Sequence, residues 1–442
     1  MDWGVSDLTQ LVAWRGLLIL EDLFLELCLI KRLNIYDLSD KEVQVIRIKL
    51  LSVICFCIFL SCEEQVRESC NQNINGRGNI SSIMPLGTIS KSYMSDFLID
   101  NNIDIGVVPE NDVKVFSVVY ETIDWDGIVR QASGAIYVPD IEENLSFPIY
   151  SGQHGTESKR TNVASIIPLR GFDSMFMASV GYIGSSPDLL GLGVSDDVVH
   201  PYVHKFVAEA VVDKIRAVKS FMCSEGIDGN GQLFIAGYSE GGYVAMATHK
   251  LIEEKYSEEL KVTASAPMAG PYDMSYSSRR ILSIDEYPQP GYISFTYMSY
   301  NSIEKLDRPA SDLFKSPFAE RIPGLMDGSK SIDEANSYLT TSIKGLFAEK
   351  FLNDFLGEGE VELKKKFEEN SLLDWQPIGP IKLFHGTDDD EVNYNNSLIA
   401  FDKLKSGGAN IELITIPGGS HSSSVFICLL YTSPSPRDKR QS

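Results

Sequence analysis

Residues 231–242 read Gly-Gln-Leu-Phe-Ile-Ala-Gly-Tyr-Ser-Glu-Gly-Gly, and a helical stretch, YVAMATHKLIEEKYS, follows at 243–257. The short apolar run Leu233–Ala236 is consistent with a buried strand, and the run from Tyr243 has helical character. Between them only Gly237-Tyr238-Ser239-Glu240-Gly241-Gly242 is available to reverse the chain. A G-x-S-x-G string alone is weak, because Gly and Ser are common in turns. Placed directly between a strand and a helix it becomes specific: a serine held at so sharp a turn needs small neighbours. The helix N-terminus it opens favours developing negative charge. Ser239 is therefore the candidate nucleophile, the alternative being a Gly-rich helix cap.

Working outward, short apolar strands alternate with longer helical stretches. FPIYSGQ (147–153), GYIGSSPD (181–188), GQLFIAG, KVTASAPMAG (261–270), IKLFHG (381–386) and IELITIPG (411–418) are separated by stretches such as HKFVAEAVVDKIRAVKSFMC (204–223) and NSLIAFDKLKSG (396–407). This alternation predicts an α/β fold with a mostly parallel central sheet covered by helices on both faces. Upstream, VKVFSVVYETI (113–123) and IVRQASGAIYVP (128–139) flank Asp124-Trp125-Asp126-Gly127, the signature of an antiparallel hairpin. Residues about 275–371 break the alternation and predict an inserted helical cap over the carboxyl ends of the strands.

Of 442 residues, 43% are hydrophobic and 10% aromatic, which excludes disordered and fibrous classes. The net charge of -22 disfavours phosphate backbones, so no nucleic-acid partner is expected. No zinc-type cysteine spacing occurs. The acidic run Asp388-Asp389-Asp390-Glu391 lacks the glycine of an EF-hand loop, so no metal site is expected.

The strings G-Y-S-E-G-G, Q-H-G-T (153–156), PDLLGLGVSDDVVHPY (187–202) and H-G-T-D-D-D-E-V (385–392) together resemble the α/β-hydrolase superfamily and, within it, the secretory-lipase type of esterases and lipases. The resemblance covers about 110–427, the cap excepted. It implies hydrolysis of small-molecule or lipid esters through a serine-bound acyl intermediate, without cofactor. It also implies the chain order serine, acid, histidine, the histidine following the last strand. His421 in PGGSHSSS fits, whereas His385 suits a turn and His249 a helix surface. Related hydrolases often read H-G-x-x-D-x-x-V-P; aligning His385, Gly386 and Val392 selects Asp389, with Asn393 replacing the proline. Asp388 and Asp390 remain open as the acid, and Asp273 is an outside candidate. The oxyanion donors expected are the backbone N–H groups of Glu240 and Thr156, with His154 bracing the loop of the latter. Asp188 and His200 are read as structural. Other readings left open are a prolyl-oligopeptidase-type serine peptidase, an acyltransferase, and a catalytically dead surface-binding lipoprotein.

Both ends look foreign to this domain. Arg47 and Lys49, the apolar run from Leu50 to Leu60, then Ser61-Cys62, resemble a bacterial lipoprotein signal (46–61) with acylation of Cys62. That run is shorter than the roughly 20 residues of a spanning helix. A lipid-anchored location at the cell envelope follows as the expectation, with the membrane as partner. Residues 1–45 are then an upstream mis-called extension and 62–105 a tether and N-terminal segment, the polar 71–82 in particular. The hydrolase domain is expected over 106–427. Residues 428–438, CLLYTSPSPRD, match the translation of a transposase-type sequencing-library adapter, so 428–442 is read as a non-native tail and the helix after His421 as lost. In the expected mature chain, about 62–427, only Cys70 and Cys223 remain besides the acylated Cys62, which allows one disulfide. Oligomeric state is left open.

Overall fold

Ser239 stands at the carboxyl end of a nine-stranded sheet in the computed structural model. The structure describes residues 70, 76–101, 103, 108–141 and 145–432, with side chains to Cys428; the leader at 46–61, Cys62 and the extension 1–45 lie outside them. The described residues belong to one compact unit, Glu68–Ser442.

The strands are β1 (Ile80–Ile89), β2 (Val113–Ile123), β3 (Val129–Pro139), β4 (Ser146–Gln153), β5 (Ile183–Pro187), β6 (Asp228–Tyr238), β7 (Ala264–Met268), β8 (Ile381–Gly386) and β9 (Ile411–Ile416). Their spatial order is β1-β2-β3-β5-β4-β6-β7-β8-β9. β1, β2, β3 and β5 pair antiparallel, and every pairing from β5 onward through β4 to β9 is parallel. The hairpin β2–β3 turns where its sequence indicates: Asp124 Oδ1 accepts from the N–H groups of Asp126 and Ile128, and Gly127 takes φ 75°.

Helices cover both faces, as an α/β-hydrolase requires. α1 (Lys91–Asp100) and α2 (Phe172–Ser179) pack with β2 and β3 around Met94, Val115, Tyr137 and Met175. α3 (Val207–Ser224) and α4 (Glu240–Lys255) bury Val211, Ile215, Val244 and Ile252 in the larger core with Ile149, Leu233 and Ile235. Between β7 and β8 lie α5 (Met274–Leu282), α6 (Pro290–Ile303), α7 (Ala310–Leu313), α8 (Phe318–Leu325), α9 (Ile332–Asn336), α10 (Ile343–Leu346), α11 (Glu349–Leu356) and α12 (Val361–Glu369). They share an aromatic centre in which Tyr297 meets Phe347, Phe351, Phe355 and Phe367 edge-on. α13 (Asn395–Ser406) links β8 to β9, and α14 (His421–Thr432) ends the described chain.

Two expectations need correction. The segment 71–82, read as a tether, already enters the sheet at Ile80, and Arg77 is clamped by Glu209 at 2.7 Å and Asp213 at 2.9 Å on α3. The helix thought lost after His421 is present as α14, and the boundary expected between Ile427 and Cys428 falls inside it. Cys428 is fully buried with Met268, Phe384 and Ile416. Cys70 and Cys223 form a disulfide. Among the described residues no helix is long and apolar enough to cross a membrane.

Candidate active site

Ser239 joins β6 to α4 with φ 61° and ψ -123°, a conformation that costs a non-glycine residue of order 1–3 kcal/mol. Its surroundings hold it there. Its N–H donates to the Met268 carbonyl at 2.9 Å, and its own carbonyl accepts from Gly242 and Tyr243. The turn fits only because its neighbours lack side chains: a Cβ on Gly241 would stand 2.2 Å from the Gln153 carbonyl oxygen, and one on Gly242 2.3 Å from that of Met268. Raised out of both regular elements, the serine hydroxyl reaches His421.

His421 is the first residue of α14. Its Nε2 accepts from Ser239 Oγ at 2.9 Å, and its Nδ1–H donates to Asp389 Oδ2 at 2.7 Å. Asp389 belongs to the β8–α13 loop and is buried, whereas Asp388 and Asp390 are exposed. The N–H groups of Glu391 and Val392 donate to its other oxygen at 3.0 and 2.8 Å. Burial pushes its carboxyl up, but hydrogen bonds and charge from His385 and His421 prevail and hold it at about 2. Burial lowers the His421 imidazole, yet its hydrogen bond to Asp389 and the charges of Asp389, Glu391 and Asp390 raise it above its ordinary value. Three side chains from three separate segments thus form one hydrogen-bonded line. Asp273 is not in it; it caps α5, accepting from the Tyr276 N–H.

Glu240 leads α4, where the first N–H groups have no partner inside the helix. Across from it the β4 loop passes in contact with the serine: a Cβ on Gly155 would stand 3.9 Å from Ser239 Cβ. Thr156, next in that loop, shares a cavity wall with Ser239 and His421. His154 lies 2.7 Å from the Gly155 carbonyl and 3.1 Å from that of Asp188. Asp188 is fully buried and accepts from Ser133 and Ser165, a structural arrangement.

Several contacts here were invisible in the sequence. His385 Nε2–H lies 3.2 Å from Asp389 Oδ2 and 2.8 Å from the Val392 carbonyl, so it braces the acid as well as the turn. The Tyr238 hydroxyl donates to the His421 carbonyl at 2.6 Å. His200 meets Glu240 Oε1 at 2.7 Å, and no spacing rule links residues so far apart. His249 is a correction: it is fully buried between Ser265 at 2.8 Å and Glu253 at 2.9 Å, not on the helix surface.

Two cavities meet at Ser239. One, about 490 Å³, lies under the inserted helices and is lined by Tyr202, Tyr287, Ile281 and Ile293 together with the carboxylates of the 388–391 run. The other, about 510 Å³, is lined by Phe97, Ile103, Leu169, Phe172, Val425 and Phe426. Tyr292 borders both, while Tyr297 and Tyr300 belong to the packed centre of the cap. Among the described residues no three His, Cys, Asp or Glu side chains converge as a metal site.

The fold and sequence have counterparts. The sequence model of the secretory lipase family matches residues 173–427. The crystal structure of the rice cell wall degrading esterase LipA from Xanthomonas oryzae superposes with a TM-score of 0.75 at 26% identity, covering 83% of this chain and all of that one. The closed state of Candida antarctica lipase A shares the fold, with a TM-score of 0.57 at 14% identity over 81% of this chain and 84% of the other. No curated protein matches the chain in sequence. With more than half its length matched by that family, and with esterases for structural neighbours, the chain belongs to the secretory lipase family and is a carboxylic ester hydrolase.

Proposed function

We propose that the ester is cleaved by a Ser–His–Asp mechanism through an acyl-enzyme. Ser239 Oγ attacks the acyl carbonyl while His421 Nε2 takes its proton. The tetrahedral oxyanion is stabilised by the N–H groups of Glu240 and Thr156. His421 then returns the proton to the leaving alkoxide, the alcohol departs, and the acyl group stays on Ser239. Water, deprotonated by His421, attacks that acyl-serine, releases the carboxylic acid and restores the hydroxyl. Asp389 orients His421 and stabilises its charged form. The observation that carries this reading is the unbroken line from Asp389 to His421 to Ser239, at 2.7 and 2.9 Å. The apolar cavity beside Phe172 and Phe426 suits a hydrocarbon chain.

Hydrolysis of p-nitrophenyl butyrate by wild type and Ser239→Ala tests it. Turnover in the variant should fall at least 10³-fold with the protein still folded; undiminished turnover would remove the serine mechanism.

We also propose that the inserted cap spans about 275–371, that Cys62 is acylated after removal of the 46–61 signal, with 1–45 a mis-called extension, and that 428–442 derives from an adapter. The signal-like string and the adapter-like string support these assignments. Intact mass of the native protein tests them: a diacylglyceryl-modified N-terminus at Cys62 is expected, and a chain beginning at Met1 would refute the anchor.

A further inference from the structure

Two residues of the β5–α3 connection grip both sides of the proposed oxyanion hole. His200 Nε2 lies 2.7 Å from Glu240 Oε1, and the Tyr202 hydroxyl lies 3.0 Å from Thr156 Oγ1. His200 is itself fixed, since its Nδ1 faces the Leu190 carbonyl at 2.9 Å. A carbonyl only accepts, so Nδ1 carries its proton, and the contact of Nε2 with Glu240 needs a second proton between them. His200, Tyr202 and Glu240 are all at most 5% exposed.

The same turn is bolted to the cap. Ser299 on α6 accepts from the Tyr202 N–H at 3.1 Å and donates to the His200 carbonyl at 2.9 Å. Phe295, one turn earlier on α6, stacks on the Tyr202 ring with centroids 4.8 Å apart, and the Tyr300 hydroxyl donates to the Val203 carbonyl at 3.0 Å. A buried ion pair or shared proton adds little net stability, because desolvation consumes most of the attraction. Its value here is geometric.

We infer that His200 and Tyr202 are positioning residues which set the two oxyanion donors relative to one another and tie that spacing to cap helix α6. Oxyanion stabilisation depends on donors standing at hydrogen-bond distance from where charge develops, so small displacements act on the transition state more than on bound ester. This rests on the reading of Ser239 as nucleophile and of Glu240 and Thr156 as donors. Neither positioning residue touches the reacting atoms.

The test uses Tyr202→Phe, which deletes one hydroxyl and keeps the ring on Phe295, with Thr156→Val, the double variant and Ser299→Ala alongside. Kinetics on p-nitrophenyl butyrate, the Ki of butaneboronic acid (a tetrahedral adduct of the serine) and Tm are measured for each. In Tyr202→Phe, kcat should fall on the order of tenfold with KM within about twofold, the boronate Ki rising by a similar factor and Tm within about 2 °C. The double variant should be no worse than the poorer single one, and Ser299→Ala should lower kcat in the same manner. Unchanged kcat and Ki in Tyr202→Phe, or a change in KM alone, with Ser239→Ala inactive, would overturn the inference and leave the serine mechanism standing. Should Tyr202→Phe fail to fold, an unchanged boronate Ki in Ser299→Ala would overturn it. Turnover surviving in Ser239→Ala would remove both.

Discussion

One oxygen of Asp389 serves two imidazoles, His421 at 2.7 Å and His385 at 3.2 Å. Burial pulls His421 down, the hydrogen bond and charge of Asp389 pull it up, and the upward pull wins. His421 must be neutral to accept a proton, so kcat should fall as pH drops through a midpoint above the ordinary imidazole value of about 6.5, measured on a neutral ester. Asp389→Asn should lower kcat by about 10²–10⁴-fold and move that midpoint downward; an unmoved midpoint would assign the limb to another group. Ser239 could be singled out from sequence because strand, glycines and helix frame it. Asp389 is selected by the motif alignment, but Asp388 and Asp390 stay open there, since what separates the three physically is burial, a property of the folded loop. His249 was misread for the same reason: a polar residue on a helix looks alike whether it faces water or a buried serine.

At the scale of elements, α3 shows where pattern reading fails. Glu209, Asp213, Lys214 and Arg216 suggest a solvated stripe, yet all four are buried. Arg77 covers Glu209 and Asp213, and Arg216 bridges Asp213 and Glu259. The N-terminal segment makes Glu209 and Asp213 interior, while Lys214 is buried against Gly134 of β3. Among the described residues Lys214 Nζ has no hydrogen-bond partner, and burial, opposed by the charge of Asp188, pushes its ammonium down to about 7. A base whose folded value lies below its unfolded value near 10.5 costs stability most at low pH, and the cost fades as pH climbs from about 7 toward 10.5. Lys214→Met should therefore raise Tm by about 2–4 °C at pH 6 and by less at pH 9, read by thermal melts. An equal gain at both pH values would mean that packing, not charge, is responsible. β1 escaped prediction for a different reason. Pro85 and Gly87 in ISSIMPLGTI argue against a strand, but an edge strand tolerates a proline whose missing N–H would have faced outward.

For the molecule as a whole, the alternation of apolar strands and helices carried the layered architecture, because a parallel sheet needs both faces covered. The eight separate helices of the cap could not be resolved in advance: their centre is built from aromatic residues on helices as short as four residues, without a periodic stripe. The covalent link from Cys70 to Cys223 spans 153 residues. In the chain-entropy view a loop of that size contributes about 5 kcal/mol. Cys70→Ser with Cys223→Ser should lower the urea midpoint accordingly, and an unchanged midpoint would show that Arg77 suffices to hold the segment.

That link also has a place in time. Thiols stay reduced in the cytosol and join only in an oxidising compartment. Until the link forms, the segment that leads into β1 is held to α3 by Arg77 and to the sheet by the pairing of β1 with β2. An oxidising compartment therefore adds a covalent rivet that the reduced chain lacks, and with it a further resistance to unfolding.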